Sequence, residues 1–341
     1  MLSDAYIILI LKYFNMKKIL LIGGAGYIGT VVAKYLLDRK FDVKIYDNLI
    51  YNSNTSKEFL KKNKNIQFVK GDILQIVNKK DIFDGIDVVV LLAGLVGDPI
   101  TKKYPDLSIK INTDGNKLVI NESIKSGIKK FIYISTCSNY GLIPDNHEAD
   151  ENYKLNPISS YAKSKVEIES YLLNKDKETE NFSSTVLRFA TAFGISPRMR
   201  LDLTINEFIY EMVHKKELLV YDPDTWRPYC HVLDFARLIH KVIKDENKNT
   251  KGQIFNAGSN KNNFTKRQIV ELISKYIRNC NVIFQEKGSD PRNYKVNFDK
   301  VNQYLNFVTK YDVEDNILDM INTIKNYKIT DKTKYGNYLI Q

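Results

Sequence analysis

From Lys18 onward, short runs of apolar and β-branched residues alternate with longer stretches in which apolar residues return at helical spacing. The runs Ile19–Ile22, Val43–Tyr46, Ile66–Val69, Val88–Leu92, Phe131–Ile134 and Thr185–Phe189 predict strands. Between them, Tyr27–Asp38, Ile109–Ser126 and Tyr161–Leu173 predict amphipathic helices. Apolar strands separated by helices predict βαβ units and a parallel sheet covered on both faces. After about residue 195 the pattern loosens into helices over 203–214, 232–244, 265–277 and 313–325 with short strands between them. The expectation is an α/β chain: a doubly wound parallel sheet over 16–190, a smaller C-terminal α/β lobe interleaved with it over 191–330, and a tail over 331–341. Residues 1–15 carry an apolar run, Ala5–Leu11, too short to span a bilayer, with no basic segment before it and no small-residue cleavage site behind it. They are expected to be an extension outside the core.

Composition narrows the classes. The chain has 341 residues, of which 43% are hydrophobic, enough for a sizeable core. Cys137, Cys230 and Cys280 lie far apart and are odd in number, which suggests neither a disulfide framework nor a zinc site and fits a reducing cytoplasm. The four histidines show no metal-ligand spacing, so no metal is expected. The net charge of +11 comes from lysines scattered among acids. That pattern describes a solvated surface rather than a nucleic-acid face, and nothing points to a membrane partner. Only nine of the 51 basic residues are arginines, and eight of those lie at or after position 188. In a lysine-rich chain, an arginine is expected where a planar two-pronged donor is needed, as on a diphosphate.

Residues 19–29 read ILLIGGAGYIG, a glycine motif that ends a strand and opens a helix, with Asp47 about 20 residues on at the end of a second strand. Glycines there let the backbone approach a pyrophosphate, and the helix N-terminus supplies N–H donors. Asp47 can accept from both hydroxyls of an adenosine ribose and would repel a 2′-phosphate, which selects NAD over NADP. The sheet is therefore expected to be of Rossmann type.

Residues 157–167 read PISSYAKSKVE, in which Tyr161 and Lys165 are four apart at a helix start and share a face. They form either a tyrosine packed on a lysine stem or a general base. A free tyrosine, with a pKa near ~10, is about one part in a thousand ionised at neutral pH. A neighbouring ammonium favours the phenolate and supplies more base. Residues 131–141, FIYISTCSNYG, leave a strand at the carboxyl edge of the sheet, where ligands of such sheets sit.

With YDN at 46–48, GDI at 71–73, LLAG at 91–94, LRFATAFG at 187–194 and RPYCHVLD at 227–234, these motifs resemble the extended short-chain dehydrogenase/reductase superfamily, in the branch that modifies nucleotide-activated sugars. The resemblance runs from residue 18 to about 325, and SPRMRLDLTINEF at 196–208 is most similar to a subgroup that includes a capsule-pathway dehydrogenase acting on GDP-heptose at C4. It implies NAD held by Gly23, Gly26, Tyr27, Ile28, Asp47, Asn48, Asp72, Ile73, Leu92, Ala93, Gly94, Asn112 and Ser135, together with Tyr161 and Lys165. Tyr161 is implied as the base, Lys165 as the group on the nicotinamide ribose, and Thr136 as the hydrogen-bond partner of the reacting sugar oxygen. Arg227 and Arg292 match positions that clamp the sugar-nucleotide diphosphate. Arg198 and Arg200 are either further substrate contacts or a charged loop.

Dehydratases of the branch carry Thr-Asp-Glu where this chain has Thr136-Cys137-Ser138, so elimination of water is not expected and Cys137 is expected to be a small packed residue. The implied activity is oxidation at C4 of a nucleotide-diphosphate sugar, first as a 4-epimerase. The alternatives are a 4-dehydrogenase of GDP-heptose type in a surface-glycan pathway, then a 4,6-dehydratase or a dinucleotide sensor without activity. A homodimer through helices at 105–126 and 160–174 is also implied.

Overall fold

The computed structural model describes residues 16–144, 146–286, 292–327, 329 and 331–340; the N-terminal segment 1–15 lies outside them. Strands β1 (Lys18–Ile22), β2 (Asp42–Asp47), β3 (Ile66–Lys70), β4 (Val88–Leu91), β5 (Lys130–Thr136) and β6 (Ser183–Phe189) fall on the six expected runs. Side chains alternate across the sheet, as the strand repeat requires. Ile19, Leu21, Val43, Ile45, Val88 and Val90 pack on one face, and Leu20, Ile22, Val89, Leu91, Phe131 and Tyr133 on the other. The first face is covered by helices Tyr27–Leu37 and Val232–Lys244. The second is covered by the rod over 105–125 and by Ser160–Glu178.

The chain then passes through the short strands β7 (Thr191–Phe193), β8 (Glu217–Tyr221) and β9 (Trp226–His231). It returns to the main sheet as β10 (Gln253–Ala257), which pairs in parallel with β6. The main sheet is thus seven-stranded, in the order β10-β6-β5-β4-β1-β2-β3, and every pairing in it is parallel. Order reverses at β1 and β4, which opens a crevice at their carboxyl ends. The smaller lobe holds the three-stranded sheet β11 (Asn263–Thr265)-β9-β7, a parallel pair of β8 with β12 (Asn281–Gln285), and helices Thr204–Tyr210, Lys266–Ser274 and Val313–Lys325.

Three features depart from the expected elements. A helix at Asn54–Lys62, capped by the Ser53 hydroxyl, follows β2. The predicted helix 109–126 is instead Pro105–Ile109, a π-helical turn over Lys110–Gly115, and Asn116–Lys125. The segment after 190, expected to be interleaved with the sheet, returns to it: helix Val232–Lys244 covers one face and β10 adds an edge strand, which is no departure. Residues 331–340, expected as a tail, are docked on the lobe: Leu201 N–H donates to the Tyr335 carbonyl (2.6 Å), and Lys332 pairs with Glu207 (2.7 Å) and with Glu211. Among the described residues, no helix is long and apolar enough to cross a membrane.

Candidate active site

The crevice at the carboxyl ends of β1 and β4 widens into a cleft of about 710 Å³ between sheet and lobe. Its floor is the glycine motif. Gly23 has φ +83°, and a Cβ there would lie 2.5 Å from the Ala93 nitrogen, so only glycine lets the β1 turn meet the β4 loop. Gly29 is in contact with the backbone of Gly24, where a Cβ would sit 2.6 Å away, which seats the helix against its own turn. Gly26 differs, since a Cβ would meet nothing closer than 3.4 Å. Gly26 also starts helix Tyr27–Leu37 with no side-chain cap. A helix N-terminus with free space over it suits a bound phosphate group.

The other positions expected to hold the cofactor stand around this cradle. Asp47 accepts from Ala25 N–H (3.0 Å) and Leu49 N–H (2.8 Å), and burial raises its carboxyl above the usual range against the pull of those donors. Asp72 accepts from Leu74 N–H (2.9 Å) and Asn48 Nδ2 (3.3 Å), while Ile73 beside it is buried. Ile28, Leu92, Ala93 and Gly94 line the same cleft. Tyr27 lines it too, but its phenol is turned away, donating to the Gly194 carbonyl (2.7 Å) and accepting from Asn206 Nδ2 (3.1 Å). Burial pushes that phenol well above the ordinary tyrosine range, so Tyr27 joins sheet to lobe as a neutral hydrogen bond.

Two expected cofactor residues act at one remove. Asn112 lies outside the cleft lining. Its Oδ1 accepts from Leu95 N–H (2.7 Å), and its Nδ2 donates to the Leu95 carbonyl (3.0 Å), so it braces the loop after β4 from the π turn. Ser135 borders the cleft, but its hydroxyl donates inward to Glu169 (2.5 Å). Glu169 is in turn gripped by both prongs of Arg188 (2.6–3.1 Å), a buried ion pair beneath the wall.

That wall carries Thr136, Tyr161 and Lys165. Thr136 ends β5, and its Oγ1 caps the next turn, accepting from Ser138 N–H (3.1 Å) and lying 2.8 Å from the Ser138 hydroxyl. Ser159 caps the helix that presents the pair, so Tyr161 and Lys165 stand one turn apart from its first residues. Lys165 Nζ donates to the Ile134 carbonyl (2.7 Å) and lies 5.7 Å from the Tyr161 ring centre. Burial pushes Lys165 down to about 7, with Glu169 opposing. Cys137 is 1% exposed, points to the Arg188 carbonyl, and burial raises its thiol. It is a packed core residue.

At the lobe end, Arg227 and Arg292 line the cleft, and Arg227 Nη1 reaches the Arg292 carbonyl. Arg200 is spoken for: its Nε and Nη2 hold Asp202 (3.0 and 2.6 Å), which also accepts from Asn337 N–H (3.2 Å). Arg198 also lines the cleft, on a segment whose Ser196 donates to the Tyr27 carbonyl (2.7 Å) in the glycine motif. His231 in the RPYCHVLD motif is structural. Its Nδ1 accepts from Leu233 N–H (3.2 Å) to cap helix Val232–Lys244, and burial lowers its pKa to about 4.

Sequence reasoning missed Tyr51, Asp202, Ser138 and Asn337, all of which line the cleft. The acid at SPRMRLD was a usable signal for Asp202, two residues from its arginine. Asn337 had none. Among the described residues, no cluster of His, Cys, Asp or Glu could hold a metal ion.

Sheet, glycine cradle and Tyr–Lys wall define an enzyme that works through a bound dinucleotide. Residues 19–258 match the model of the NAD dependent epimerase/dehydratase family, and the chain belongs to that family. NAD is therefore its cofactor, and the open space over Gly26 fits the group. The UDP-glucose 4-epimerase of Pasteurella multocida (strain Pm70) is 30% identical over 267 residues, 71% of this chain and 77% of that one. A putative UDP-glucose 4-epimerase of Methanocaldococcus jannaschii is 24% identical over 90% of this chain and 98% of its own length. The fold is shared with dTDP-glucose 4,6-dehydratase of Bacillus anthracis, crystallised with NAD (TM-score 0.82, 23% identity, 93% of this chain and 99% of that one). UDP-glucose 4-epimerase of Thermotoga maritima, solved with UDP-glucose, superimposes with a TM-score of 0.79 at 26% identity, covering 89% of this chain and 97% of that one.

Proposed function

We propose that the chain is a nucleotide-diphosphate-sugar 4-epimerase. The observation that carries this reading is the wall of Thr136, Tyr161 and Lys165, beside which, among the described residues, no carboxylate faces the cleft; Glu169 lies behind the wall and is closed off by Arg188. Among the described residues, the acids that line the cleft are Asp47, Asp72 and Asp202, and all three are held by backbone N–H groups or Arg200. Asp150 and Glu151 do not line it: Asp150 caps a turn, and Glu151 accepts from Asn256 N–H (2.6 Å). Abstraction at C5 and departure of a C6 hydroxyl need such a group, which supports epimerisation over loss of water.

When bound, NAD supplies the acceptor and donor of hydride at C4. The protein's own residues then manage the proton and the geometry. Tyr161 takes the proton of the C4 hydroxyl and returns it, helped by the ammonium of Lys165 one turn away. Thr136, fixed by Ser138, hydrogen-bonds the same sugar oxygen. Arg227 and Arg292 hold the sugar-nucleotide diphosphate, so that the oxidised sugar can turn over without leaving.

The curated relatives named epimerases support this order. The likeness of 196–208 to the GDP-heptose 4-dehydrogenase subgroup keeps net oxidation as the second reading. The test is incubation with NAD and a panel of UDP-, dTDP- and GDP-sugars, following NADH absorbance and product mass and NMR. Inversion at C4 with catalytic NAD and no mass change is the expected result. Stoichiometric NADH would select the dehydrogenase, a product lighter by one water the dehydratase, and no turnover across the panel a binding protein.

A further inference from the structure

We propose that Arg198 is a ligand of the cofactor's diphosphate, so that a lobe residue completes the anion site begun by the glycine motif. This rests on the chain's binding NAD, not on which sugar it turns over. Arg198 is 4% exposed and lines the cleft. Among the described residues, no carboxylate lies within ion-pair distance of it, whereas its neighbour Arg200 is paired by both prongs to Asp202. The one hydrogen bond from its guanidinium among the described residues goes from Nη2 to the Gly336 carbonyl (3.3 Å), and its carbon lies 4.9 Å from the Tyr51 ring centre. A guanidinium has five N–H donors, so most of its capacity points at something else.

Its placement says what that is. Arg198 N–H donates to Ser196 Oγ (3.2 Å), Ser196 donates to the Tyr27 carbonyl (2.7 Å), and Ser196 Oγ lies 3.1 Å from Thr30 Oγ1. The segment is therefore fastened to the first turn of the helix that starts at Gly26. Tyr51 follows Asp47 and Asn48 along the ribose edge. From the far side, Asn337 donates to the Val96 carbonyl (3.1 Å), and its own Oδ1 is buried without a partner. The charge thus lies against Tyr51 and Gly336, on a segment fastened to the first turn of the helix whose start is uncapped, and close enough to Asp47 to act on it. Burial, and after it the like charge of Arg200, lowers Arg198 to about 10 against the pull of Asp202, Tyr51 and Asp47, and a dianionic diphosphate would add the direct partner that those acids do not provide.

The test measures binding, not turnover. In the full chain, Arg198→Gln is expected to weaken NAD and ADP-ribose roughly ten- to hundredfold by calorimetry, as for loss of a charge-assisted hydrogen bond. Adenosine should bind as in the wild type, and so should UDP and GDP to the NAD-saturated protein. Arg198→Lys should recover part of the ADP-ribose affinity. Since removing an unpaired buried charge relieves a cost, the unliganded Gln variant should melt no lower than the wild type. ADP-ribose bound by the Gln variant at wild-type strength would overturn the assignment, as would loss of UDP and GDP with ADP-ribose intact. Arg227→Gln serves as the counterpart. If it leaves UDP and GDP binding unchanged, the sugar-nucleotide reading fails, while the ADP-ribose result still decides Arg198.

Discussion

Tyr161 and Lys165 answer to different experiments, because the role proposed for one rests on its oxygen and that proposed for the other on its charge. Tyr161→Phe keeps the ring beside Lys165 and removes the oxygen proposed to take the proton. Turnover should fall by on the order of 10²–10⁴ while the NAD dissociation constant stays within about twofold. A variant that keeps more than a few per cent of the activity would show that another group is the base. Lys165 is predicted from burial. Its folded pKa of about 7 lies below the value of ~10.4 for an unfolded lysine, so between these values the unfolded chain holds a proton that the folded chain has lost. Stability gains with rising pH across that window, and the cost of the buried ammonium is complete below about pH 7. Lys165→Met lacks this dependence. Without ligand, it should melt above the wild type near pH 6, with the gap closing toward pH 9, in calorimetric scans. A gap that stays constant would show that the site does not titrate there. The variant should be inactive throughout. The pair was legible in the sequence because four residues is one helical turn. The engagement of Arg200 was not, since pairing with Asp202 and Asn337 depends on where residues 196–202 and 331–340 meet.

At the scale of elements, the strands were legible wherever both faces are buried, since an apolar run of five or so residues has few other uses. Helix Asn54–Lys62 escaped because only Ser56 and Phe59 are buried in it. Strand β10 escaped because QIFNA mixes polar and apolar residues at the edge of the sheet. The π turn at Lys110–Gly115 was hidden for a different reason: helical spacing does not reveal one turn that carries an extra residue. That turn sets Asn112 against Leu95. Asn112→Ala removes the acceptor of a buried N–H and should cost about 1–3 kcal/mol in urea unfolding. It should also weaken NAD, because the loop after β4 lines the part of the cleft proposed for the cofactor. Lost stability with unchanged NAD affinity would make Asn112 a packing residue alone.

On the whole-molecule scale, the face over 105–125 and 160–178 is held together by Lys117–Glu167 (2.6 Å) and Tyr171–Asn121 (2.6 Å), and it leaves Ile109 exposed. A second copy seated on this face would give a dimer. Sedimentation at micromolar concentration should show twice the chain mass, and a monomer would reject it. The path of the chain has its own thermodynamic outcome. It leaves the main sheet after β6, returns for helix Val232–Lys244 and β10, and leaves again. Phe235, Leu238, Ile239, Val242 and Ile243 from that return are buried against the face that also packs helix Tyr27–Leu37. Scanning calorimetry should therefore give a single transition, with matching calorimetric and van't Hoff enthalpies. A fragment ending at residue 190 should not fold, because this face would be bare.

The same crossing limits how such a molecule can acquire a new substrate. Where a cofactor module and a substrate module are joined by a single linker, recombination can exchange one of them whole. Here any cut between the two removes part of the sheet, and a transplanted lobe would have to bring residues 232–257 with it and fit them to a foreign face. Under the proposed function, preference for a different sugar is therefore open to change one cleft side chain at a time, at positions such as Ser138 or Arg292, and is closed to inheritance as a cassette.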